Sequence, residues 1–514
     1  MKTKLHGKQT NFLKKSRINI ILVAFLLGTI TLCAQTQIGQ DIDGEAPFDN
    51  SGASISISDD GTIVAIGAHL NDGNGIDSGH VRVYQDQGGT WTQLGQDIDG
   101  VAPDDEYGFG VSLSGDGSTV ALGGRLSNVN GTSSGQVRVY ENQGGTWVQV
   151  GGNINGQAGE VFGISLSLST DGSILAIGAP GNAENGALSG AFRVFENQSG
   201  TWTQIGQEIN GDNGDDRFGR NTSLSGDGSI VAVGAQMFDG NGLTNNGLCR
   251  VFENQGGTWV QVGQDIFGEA SGDNSGVVSI SENGTIVAIG ALNNNDNGTS
   301  SGHVRIYENQ NGTWVQIGQD IDGETANDNS GRFVSLSNSG SIVAIGSILN
   351  NDNGQNTGHA RVFRNDGGNW IQVGVDIDGE GAFDNAGVVS ISGDGNTLAV
   401  GAARNDDNGT DAGHVRVFSL DALLSVEDTQ LISSIDIFPN PASGIVNISN
   451  PQGVALDRIA IYDITGRLVR ELNPSQTAET QSIDITNLSD GLYMIILSVN
   501  NSTVVNRLVV ANRR

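Results

Sequence analysis

The chain has 514 residues and carries 25 Lys and Arg against 57 Asp and Glu, which gives a net charge of −32 at neutral pH. This acidity argues against nucleic acid and against anionic membrane surfaces as binding partners. With 78 Gly and only 2 Cys, the composition excludes a disulfide-stapled fold, and a chain of this length can instead bury a large apolar core.

The first 34 residues differ in composition from the rest. They contain every Lys of the chain, then an apolar run from Ile18 to Leu32, then Cys33-Ala34. This order is typical of a secretory signal peptide, so we predict that residues 1–34 are removed after Ala34. One alternative is a lipoprotein signal acylated on Cys33, although the bulky residue before it argues against this. The other is a membrane anchor, for which the apolar run is short.

Seven copies of a motif resembling Gly-His-Val-Arg-Val-Tyr follow. They begin at Gly79, Gly135, Gly190, Gly247, Gly302, Gly358 and Gly413. Trp residues mark the same period at Trp91, Trp147, Trp202, Trp259, Trp314 and Trp370. A regular period of about 56 residues in Gly-rich sequence indicates a repeat architecture whose units cannot bury their apolar faces alone.

Each repeat reads as four short antiparallel strands. In one copy the apolar runs lie at 334–337, 342–346, 360–363 and 370–374, separated by Asn/Asp/Gly/Ser turns. Gly in such turns accepts the positive φ that tight hairpins need. No segment shows helical periodicity. The pattern predicts an all-β fold built from β-propeller blades.

The two ends of the repeat region are out of register with each other. Residues 37–42 match a fourth strand, whereas the last copy stops at a third strand, residues 415–418. The N-terminal strand should therefore complete the last blade, which predicts a closed seven-bladed ring over residues 35–418 with no open sheet edge. Gln35 falls where a seventh Trp would stand.

Several repeats resemble FG-GAP repeats, the blades of integrin α-chain propellers. The resemblance rests on Phe109-Gly110, Phe162-Gly163, Phe218-Gly219 and the Gly178-Ala179-Pro180 element. It implies an extracellular binding role. The Asp-x-Asp-x-Asp-Gly calcium loop of the integrin type is absent from the sequence, so the integrin calcium sites cannot be carried over.

The C-terminal part is a separate module. Residues 419–434 are predicted to be a linker, and residues 435–514 carry Phe438-Pro439-Asn440-Pro441, then Ile459–Asp463, then Asp490-Gly491-Leu492-Tyr493 and a terminal Arg507-Leu508-Val509-Val510. In this order the motifs resemble the type A C-terminal sorting domain of the type IX secretion system of Bacteroidetes. The resemblance implies a small Ig-like β-sandwich that engages the secretion machinery, and delivery to the cell surface or medium after Sec export to the periplasm.

Basic residues and His recur at fixed places in the repeat. Seven of the propeller's Arg residues are one repeated residue, which we interpret as pairing between blades with a repeated carboxylate, the less favoured alternative being a ring of guanidinium groups that binds anions. His80, His303, His359 and His414 share one repeat position. We interpret them as packing residues at strand ends, since equivalent positions lie on different blades. Cys249 is expected to be a buried small hydrophobe.

The loops after the second and fourth strands should emerge on one face, and both are rich in acids. Carboxylates at this density suit Ca²⁺, so calcium is the one candidate cofactor, beside the favoured interpretation of a solvated acidic surface with Asx-turns. The candidate ligands are Asp41, Asp43, Glu45, Asp320, Asp322, Glu324, Asp328, Asp376, Asp378, Glu380 and Asp384.

No enzyme motif is present in the sequence: no Gly-x-Ser-x-Gly, His-Glu-x-x-His, Walker or dinucleotide-binding loop occurs. We therefore expect a non-enzymatic, monomeric binding or adhesion protein at the cell surface or in the medium, with a glycan or protein as its ligand. The alternatives are a polysaccharide hydrolase or lyase with its site at the channel mouth, and a structural surface-coat protein.

Overall fold

The structure is a computed structural model that describes residues 35–421, 436–449, 458–463, 467–472, 480–499 and 502–511. The predicted signal peptide, residues 1–34, and residues 422–434 of the predicted linker lie outside the described residues. The secondary-structure elements with bounds inside the described ranges are all β-strands. Within the same ranges, no helix has the length and apolarity needed to cross a membrane.

The strands of the repeat region follow one another at the repeat period. In chain order they are β1 (Thr36–Gln37), β2 (Ile42–Asp43), β3 (Ser54–Ile57), β4 (Ile63–Ala68), β5 (His80–Asp86), β6 (Trp91–Gln93), β7 (Ile98–Asp99), β8 (Tyr107–Leu113), β9 (Thr119–Gly124), β10 (Gln136–Asn142), β11 (Trp147–Gln149), β12 (Ile154–Asn155), β13 (Leu166–Leu168), β14 (Ile174–Ala179), β15 (Ala191–Asn197), β16 (Trp202–Gln204), β17 (Ile209–Asn210), β18 (Asn221–Leu224), β19 (Ile230–Ala235), β20 (Leu248–Asn254), β21 (Trp259–Gln261), β22 (Ile266–Phe267), β23 (Ser275–Ile280), β24 (Ile286–Ala291), β25 (His303–Asn309), β26 (Trp314–Gln316), β27 (Ile321–Asp322), β28 (Phe333–Leu336), β29 (Ile342–Ser347), β30 (His359–Asp366), β31 (Asn369–Gln372), β32 (Ile377–Asp378), β33 (Val388–Ile391), β34 (Thr397–Ala402) and β35 (His414–Ser419).

These strands form seven separate antiparallel sheets, which are the blades of a β-propeller. Blades 1 to 6 are β3–β7, β8–β12, β13–β17, β18–β22, β23–β27 and β28–β32, and blade 7 is β33, β34 and β35 with β1 and β2. In each blade the first strand lies innermost and the fourth strand outermost. The outermost strand is broken into two short segments, and both pair with the third strand. The sequence predicted one continuous fourth strand, so the break is a difference from that prediction.

The N-terminal segment closes the ring as the repeat register predicts. Thr36 pairs with Ser419, and Gln37 pairs with Phe418. Ile42 pairs with Val415 and packs into an apolar cluster with it. The last blade is therefore assembled from both ends of the propeller segment.

A ring of backbone hydrogen bonds joins neighbouring blades at the turns between the first and second strands. Seven amides each donate to a carbonyl of the neighbouring blade: Asp59 to Gly115, Gly115 to Thr170, Thr170 to Gly226, Gly226 to Glu282, Glu282 to Asn338, Asn338 to Gly393 and Asp394 to Asp59. The distances lie between 2.7 and 3.0 Å. The last bond returns to the first blade, so the ring is closed at seven.

The repeated Ser of the first strand makes a second set of bonds between blades. Its hydroxyl accepts a hydrogen bond from a first-strand amide of the following blade, as when Ser56 accepts from Leu113 at 2.9 Å. The other acceptors are Ser112, Ser167, Ser223, Ser279, Ser335 and Ser390. These bonds satisfy the outward amides of strands that would otherwise be free edges.

The break in the outer strand is where the Trp of the next blade binds. The Trp147 indole donates to the Leu94 carbonyl at 2.7 Å, and the Gln96 side chain bonds to the Trp147 backbone. Gly95 lies between them with φ +81°, and a Cβ there would lie 2.9 Å from Cδ1 of Trp147. The break therefore needs Gly at this position.

At the ring-closing junction, both the Trp and the Gln that bonds to it are replaced. Gln35 occupies the Trp position, and Val375 occupies the position of the bonding Gln. The Gln35 amide donates to the carbonyls of Val373 and Val375 at 3.3 and 2.7 Å and accepts from the Val375 amide at 3.2 Å. One Gln thus replaces the hydrogen bonds of a Trp and a Gln.

The structure corrects the alignment of one predicted Phe-Gly element. A Gly, here called the inner-strand Gly, stands near the start of each first strand. The residue directly before it forms a β-bridge with the first Gly of the preceding repeat motif. This residue is Phe162 in blade 3 and Phe218 in blade 4. In blade 2 the bridging residue is Tyr107. Phe109-Gly110 is therefore two residues out of register with the other copies.

The C-terminal module is a small β-sandwich. Its strands are β36 (Asp436–Ser443), β37 (Ile445–Ser449), β38 (Arg458–Asp463), β39 (Leu468–Leu472), β40 (Thr480–Asp484), β41 (Gly491–Val499) and β42 (Ser502–Val510). The order is β39-β38-β41-β42-β36-β37-β40, and β36 pairs with β42 in parallel. Residues of both halves, such as Ile448 and Ile495, share one buried core.

Candidate functional site

In the described part of the chain, four clusters of His and carboxylate side chains lie between neighbouring blades. They bring together the loops after the second and fourth strands, so these loops share one side of the ring, which we call the loop face. The cluster at blade 1 contains Glu45, His80 and Asp97; that at blade 5 contains Glu269, Asp296, His303 and Asp320; that at blade 6 contains Glu324, Asp352, His359 and Asp376; that at blade 7 contains Asp41, Glu380, Asp407 and His414. Within each cluster one nitrogen or oxygen of every residue lies within 4.8 Å of the others.

Each cluster is assembled in the same way. In blade 6, His359 begins the third strand, Asp376 lies in the break of the fourth strand, and Asp352 belongs to the loop after the second strand. Glu324 follows the fourth strand of blade 5. The blade 1 cluster lacks a fourth residue, because Gly73 stands in place of the loop Asp.

The His side chains are buried and lack hydrogen bonds. The side chains of His303, His359 and His414 are 0% exposed. Among the described residues neither ring nitrogen of these three has a hydrogen-bond partner. The carboxylate oxygens nearest to each Nδ1 lie 3.8 Å away, which is too far for a hydrogen bond.

Neighbouring side chains orient the carboxylates. Gln372 donates to one oxygen of Asp376 at 2.6 Å, and the other oxygen faces His359. Arg361 lies 3.6 Å from one oxygen of Glu324, whose other oxygen also faces the His. The Arg in turn donates to the Asp322 carbonyl at 2.7 Å. The same Arg–Glu contact occurs at blades 1, 5 and 7, which confirms the interpretation of the repeated Arg as a partner of a repeated carboxylate in these blades.

Burial keeps the His side chains neutral at physiological pH. It lowers the pKa of His359 to about 4, and the neighbouring Arg361 contributes to this decrease. The pKa values of His303 and His414 are lowered for the same reasons. Burial also raises the pKa of Glu324, as do nearby carboxylates. A neutral imidazole does not offset the negative charge of the three carboxylates beside it.

Blades 3 and 4 show what happens when the His is absent. Leu248 stands at the His position of blade 4, and Arg250 binds Asp212 at 2.7 Å and Asp265 at 2.8 Å. Although burial lowers it, the hydrogen bonds to these carboxylates raise the pKa of Arg250 above its usual value. In blade 3, Arg193 binds Glu160 and Glu208 in the same manner. The acids of these blades are neutralised directly by Arg.

The predicted calcium ligands are divided between neighbouring clusters. Asp320 belongs to the blade 5 cluster, and Glu324 from the same loop belongs to the blade 6 cluster. In the same way, Asp376 lies in the blade 6 cluster and Glu380 in the blade 7 cluster, and Asp41 lies in the blade 7 cluster and Glu45 in the blade 1 cluster. Asp328 and Asp384 instead accept hydrogen bonds from their own loops. Asp43, Asp322 and Asp378 are strand residues outside the clusters. One loop therefore does not gather its acids on one ion, and calcium at these loops stays a prediction.

A second feature of the loop face is the mouth of the central channel. A cavity of about 270 Å³ there is lined by the beginnings of the first strands of all seven blades. The residue directly after the inner-strand Gly is apolar in five blades, where it is Ala53, Phe109, Ile164, Val277 or Val388. Blades 4 and 6 have Arg220 and Arg332 instead. The lining is thus asymmetric, unlike the repeats around it.

The two channel Arg side chains have no counter-ion among the described residues. Neither Arg220 nor Arg332 forms a side-chain hydrogen bond or ion pair with any described residue. Burial lowers the pKa of Arg220, and the charges of Arg217, Arg332 and Arg125 lower it further. Arg125 itself is paired with Glu106 and stacks on Phe109. Positive charge is therefore concentrated at the centre of a strongly acidic protein.

Sequence reasoning missed this site. A column-by-column comparison of the repeats at the residue after the inner-strand Gly would have isolated Arg220 and Arg332, because the other five residues in that column are apolar. The misplaced Phe109-Gly110 element obscured the column. Sequence reasoning also treated the His residues singly, whereas their acidic partners come from two blades.

The C-terminal region matches a known family. Residues 436–511 match the secretion system C-terminal sorting domain. This confirms the predicted sorting domain and indicates export to the cell surface or secretion, with the secretion machinery as a partner. No curated protein matches this chain in sequence.

Solved structures resemble the propeller only distantly. Hydrazine synthase of Kuenenia stuttgartiensis is 15% identical, with a TM-score of 0.48 over 75% of this chain and 97% of that one. The periplasmic gluconolactonase of Pseudomonas aeruginosa is 17% identical, with a TM-score of 0.45 over 64% and 85%. The β-propeller domain of the trilobed protease of Pyrococcus furiosus is 10% identical, with a TM-score of 0.38 over 68% and 90%. These similarities carry no inference about function.

Proposed function

We propose that this exported protein is a binding module that recognises an anionic group of an extracellular ligand at the loop-face mouth of its channel. The observation that carries the proposal is the pair Arg220 and Arg332, which line the cavity without a counter-ion among the described residues. The repeated Arg of the blades, by contrast, is mostly paired with carboxylates. An unpaired pair of guanidinium groups in a concave site suits a carboxylate or sulfate, which accepts two parallel hydrogen bonds from each.

The negative charge of the propeller favours selectivity among anionic ligands. The propeller and linker carry 13 basic against 50 acidic side chains. An acidic surface repels anions in general, so a ligand must reach the mouth through contacts specific to the cavity. Phe109 and Phe333 also line the cavity and offer apolar surface beside the charges. We propose an acidic glycan as the ligand, since sugar rings combine an apolar face with carboxylate or sulfate groups.

We also propose that the repeats are FG-GAP repeats and that the protein acts as an adhesin. Phe162 and Phe218, which directly precede the inner-strand Gly in blades 3 and 4, are buried. Delivery by the sorting domain to the cell surface or medium supports contact with extracellular polymers.

A glycan array tests the proposal. The array should contain matched neutral, carboxylated and sulfated oligosaccharides, probed with the wild type and with R220Q, R332Q and R404Q. Arg404 is an exposed Arg outside the cavity and is the matched control. We expect binding to acidic glycans that each channel substitution weakens about tenfold or more, because a hydrogen bond to a charged group contributes about 1.5–3 kcal/mol. Equal binding by R220Q, R332Q and the wild type would contradict the proposal.

The second candidate is a hydrolase or lyase at the same mouth. The observation that favours it is the asymmetric lining, which places unlike residues around one cavity. Chromatography of acidic oligosaccharides after long incubation with the protein separates the two candidates. Intact oligosaccharides favour binding alone, and cleavage that is lost in R220Q favours the enzyme.

A further inference from the structure

We propose that the His–carboxylate clusters at blades 5, 6 and 7 are three equivalent binding sites for a divalent first-row transition metal ion, with Zn²⁺ as the representative ion. Each site offers one imidazole nitrogen and three carboxylate oxygens. The proposal is independent of the anion site in the channel mouth.

The geometry suits a shared ion. Atoms bound about 2.1 Å from one ion lie roughly 3 to 4.2 Å from each other, depending on the angle between the bonds. The Nδ1 atoms of His303, His359 and His414 lie 3.8 Å from a carboxylate oxygen, and all four donor atoms of each cluster lie within 4.8 Å. Contacts of this length are too long for hydrogen bonds and fit two ligands of one ion.

The buried His side chains are the independent observation. Acids at a surface are common without any ion, but an imidazole that is 0% exposed and has no partner for its nitrogens among the described residues is not. A metal ion bound at Nδ1 satisfies that nitrogen, and the ring proton then lies on Nε2.

Charge and donor type select the ion. Three carboxylates and the nearby Arg leave each cluster with a net charge of −2, which a divalent cation neutralises. Ca²⁺ and Mg²⁺ prefer oxygen ligands alone, whereas Zn²⁺ and its neighbours bind imidazole well. The Gln and Arg contacts hold the carboxylates in place, as the outer partners of metal ligands do.

The other blades provide internal controls. Blades 3 and 4 have no His, and Arg occupies their acids. Blade 2 has Gln136 at the His position, where it bonds to Tyr107 and Asn155. Blade 1 has the His but has Gly73 in place of the loop Asp. The Gly73 amide bonds to Asn71 as the Asp296 amide bonds to Asn294. A Cβ at Gly73 would lie 2.9 Å from Oδ1 of Asn71, so G73D requires a small shift of that side chain.

The test measures metal stoichiometry in the purified protein. After treatment with a chelator and dialysis, Zn²⁺ binding is followed by titration calorimetry and elemental analysis. We expect three tight sites per chain, which millimolar Ca²⁺ does not displace. H359Q, which introduces the residue that blade 2 has at this position, should reduce the count to two. H80Q should leave it at three, because the blade 1 cluster lacks one ligand.

A variant that gains a metal site provides a test that a folding defect cannot explain. G73D supplies the missing carboxylate in blade 1 and should raise the count from three to four. Absence of Zn²⁺ binding by the folded wild type would overturn the proposal. So would a count that H359Q and G73D both leave unchanged, or full displacement of Zn²⁺ by an equal concentration of Ca²⁺, which would identify the clusters as hard-ion sites.

Discussion

At the scale of single residues, the fate of one repeated Arg shows how the blades divide their tasks. Where His is present, Arg contacts one Glu and a backbone carbonyl, and three carboxylates stay gathered around the imidazole in blades 5, 6 and 7. Where His is replaced by Ala191 or Leu248, Arg binds two acids directly. In blades 3 to 7 the residue at the His position therefore distinguishes junctions closed by Arg–carboxylate ion pairs from junctions that gather carboxylates around an imidazole.

His69 supports a prediction about pH. It packs edge-on against Phe109 beside Arg125, and burial, together with the charge of Arg125, lowers its pKa to about 4. The ordinary His pKa is about 6.5, so between these values the unfolded chain binds more protons than the folded one. The contribution of His69 to stability is therefore fully present above pH 6.5 and is lost as the pH falls towards 4.

The substitution H69L removes this contribution, and Leu292 occupies the same position in blade 5. We expect the loss of unfolding free energy between pH 7.5 and pH 5 to be smaller in H69L than in the wild type, by on the order of 1 kcal/mol. Urea denaturation at both pH values, with a chelator present, measures the difference. An identical loss in both proteins would show that His69 titrates normally in the folded state.

At the scale of strands and blades, the sequence predicted most of the architecture. The spacing of the Trp residues and the Arg motif set the period, and the mismatch between the two ends predicted the pairing of residues 37–42 with residues 415–418, which β1, β2 and β35 confirm. The break in the fourth strand was not predicted. It depends on a Gly-mediated contact with the Trp of the next blade, and a pattern within one repeat does not contain that neighbour.

The candidate site was less predictable for the same reason. Each His cluster takes its Glu from one blade and its other members from the next, so a search for ligands within one loop cannot assemble it. The channel Arg residues, Arg220 and Arg332, break the repeat pattern, and reasoning based on what the repeats share passes over them. Sequence periodicity locates structural residues well and exceptions to the period poorly.

Ring closure supports a prediction with a matched control. Ile42 and Ile98 occupy the same position in blades 7 and 1, and each is 3% exposed. Substitution of either by Ala should lower the free energy of unfolding by about 2–5 kcal/mol, because it removes buried methyl groups and leaves a cavity. Only I42A should also speed hydrogen exchange of the β35 amides, since β2 is the strand that it loosens. A loss of stability in I98A without one in I42A would mean that the N-terminal strand is unpaired in solution.

At the scale of the whole molecule, the chain joins an acidic propeller to an export module. Residues 435–514 carry 6 basic and 7 acidic side chains, so their charge is nearly balanced, and residues 436–511 match the sorting domain. Their core is separate from those of the blades. Such an arrangement allows the propeller to be delivered by a segment that lies outside it.

This arrangement predicts the effect of a truncation. Deletion of residues 435–514 should leave a folded propeller in the periplasm, because the signal read by the secretion machinery is missing. Cell fractionation and protease protection in the native host measure this, with a propeller variant such as R404Q as a control that should reach the surface. Normal surface delivery of the truncated protein would show that export does not depend on the sorting domain.

We propose that the channel mouth on the loop face binds an anionic ligand. The most direct measurement is a crystal structure of the protein bound to the acidic oligosaccharide that gives the strongest signal on the array. We expect a carboxylate or sulfate group within hydrogen-bonding distance of both Arg220 and Arg332. An oligosaccharide bound away from the cavity, with these two side chains unoccupied, would contradict it.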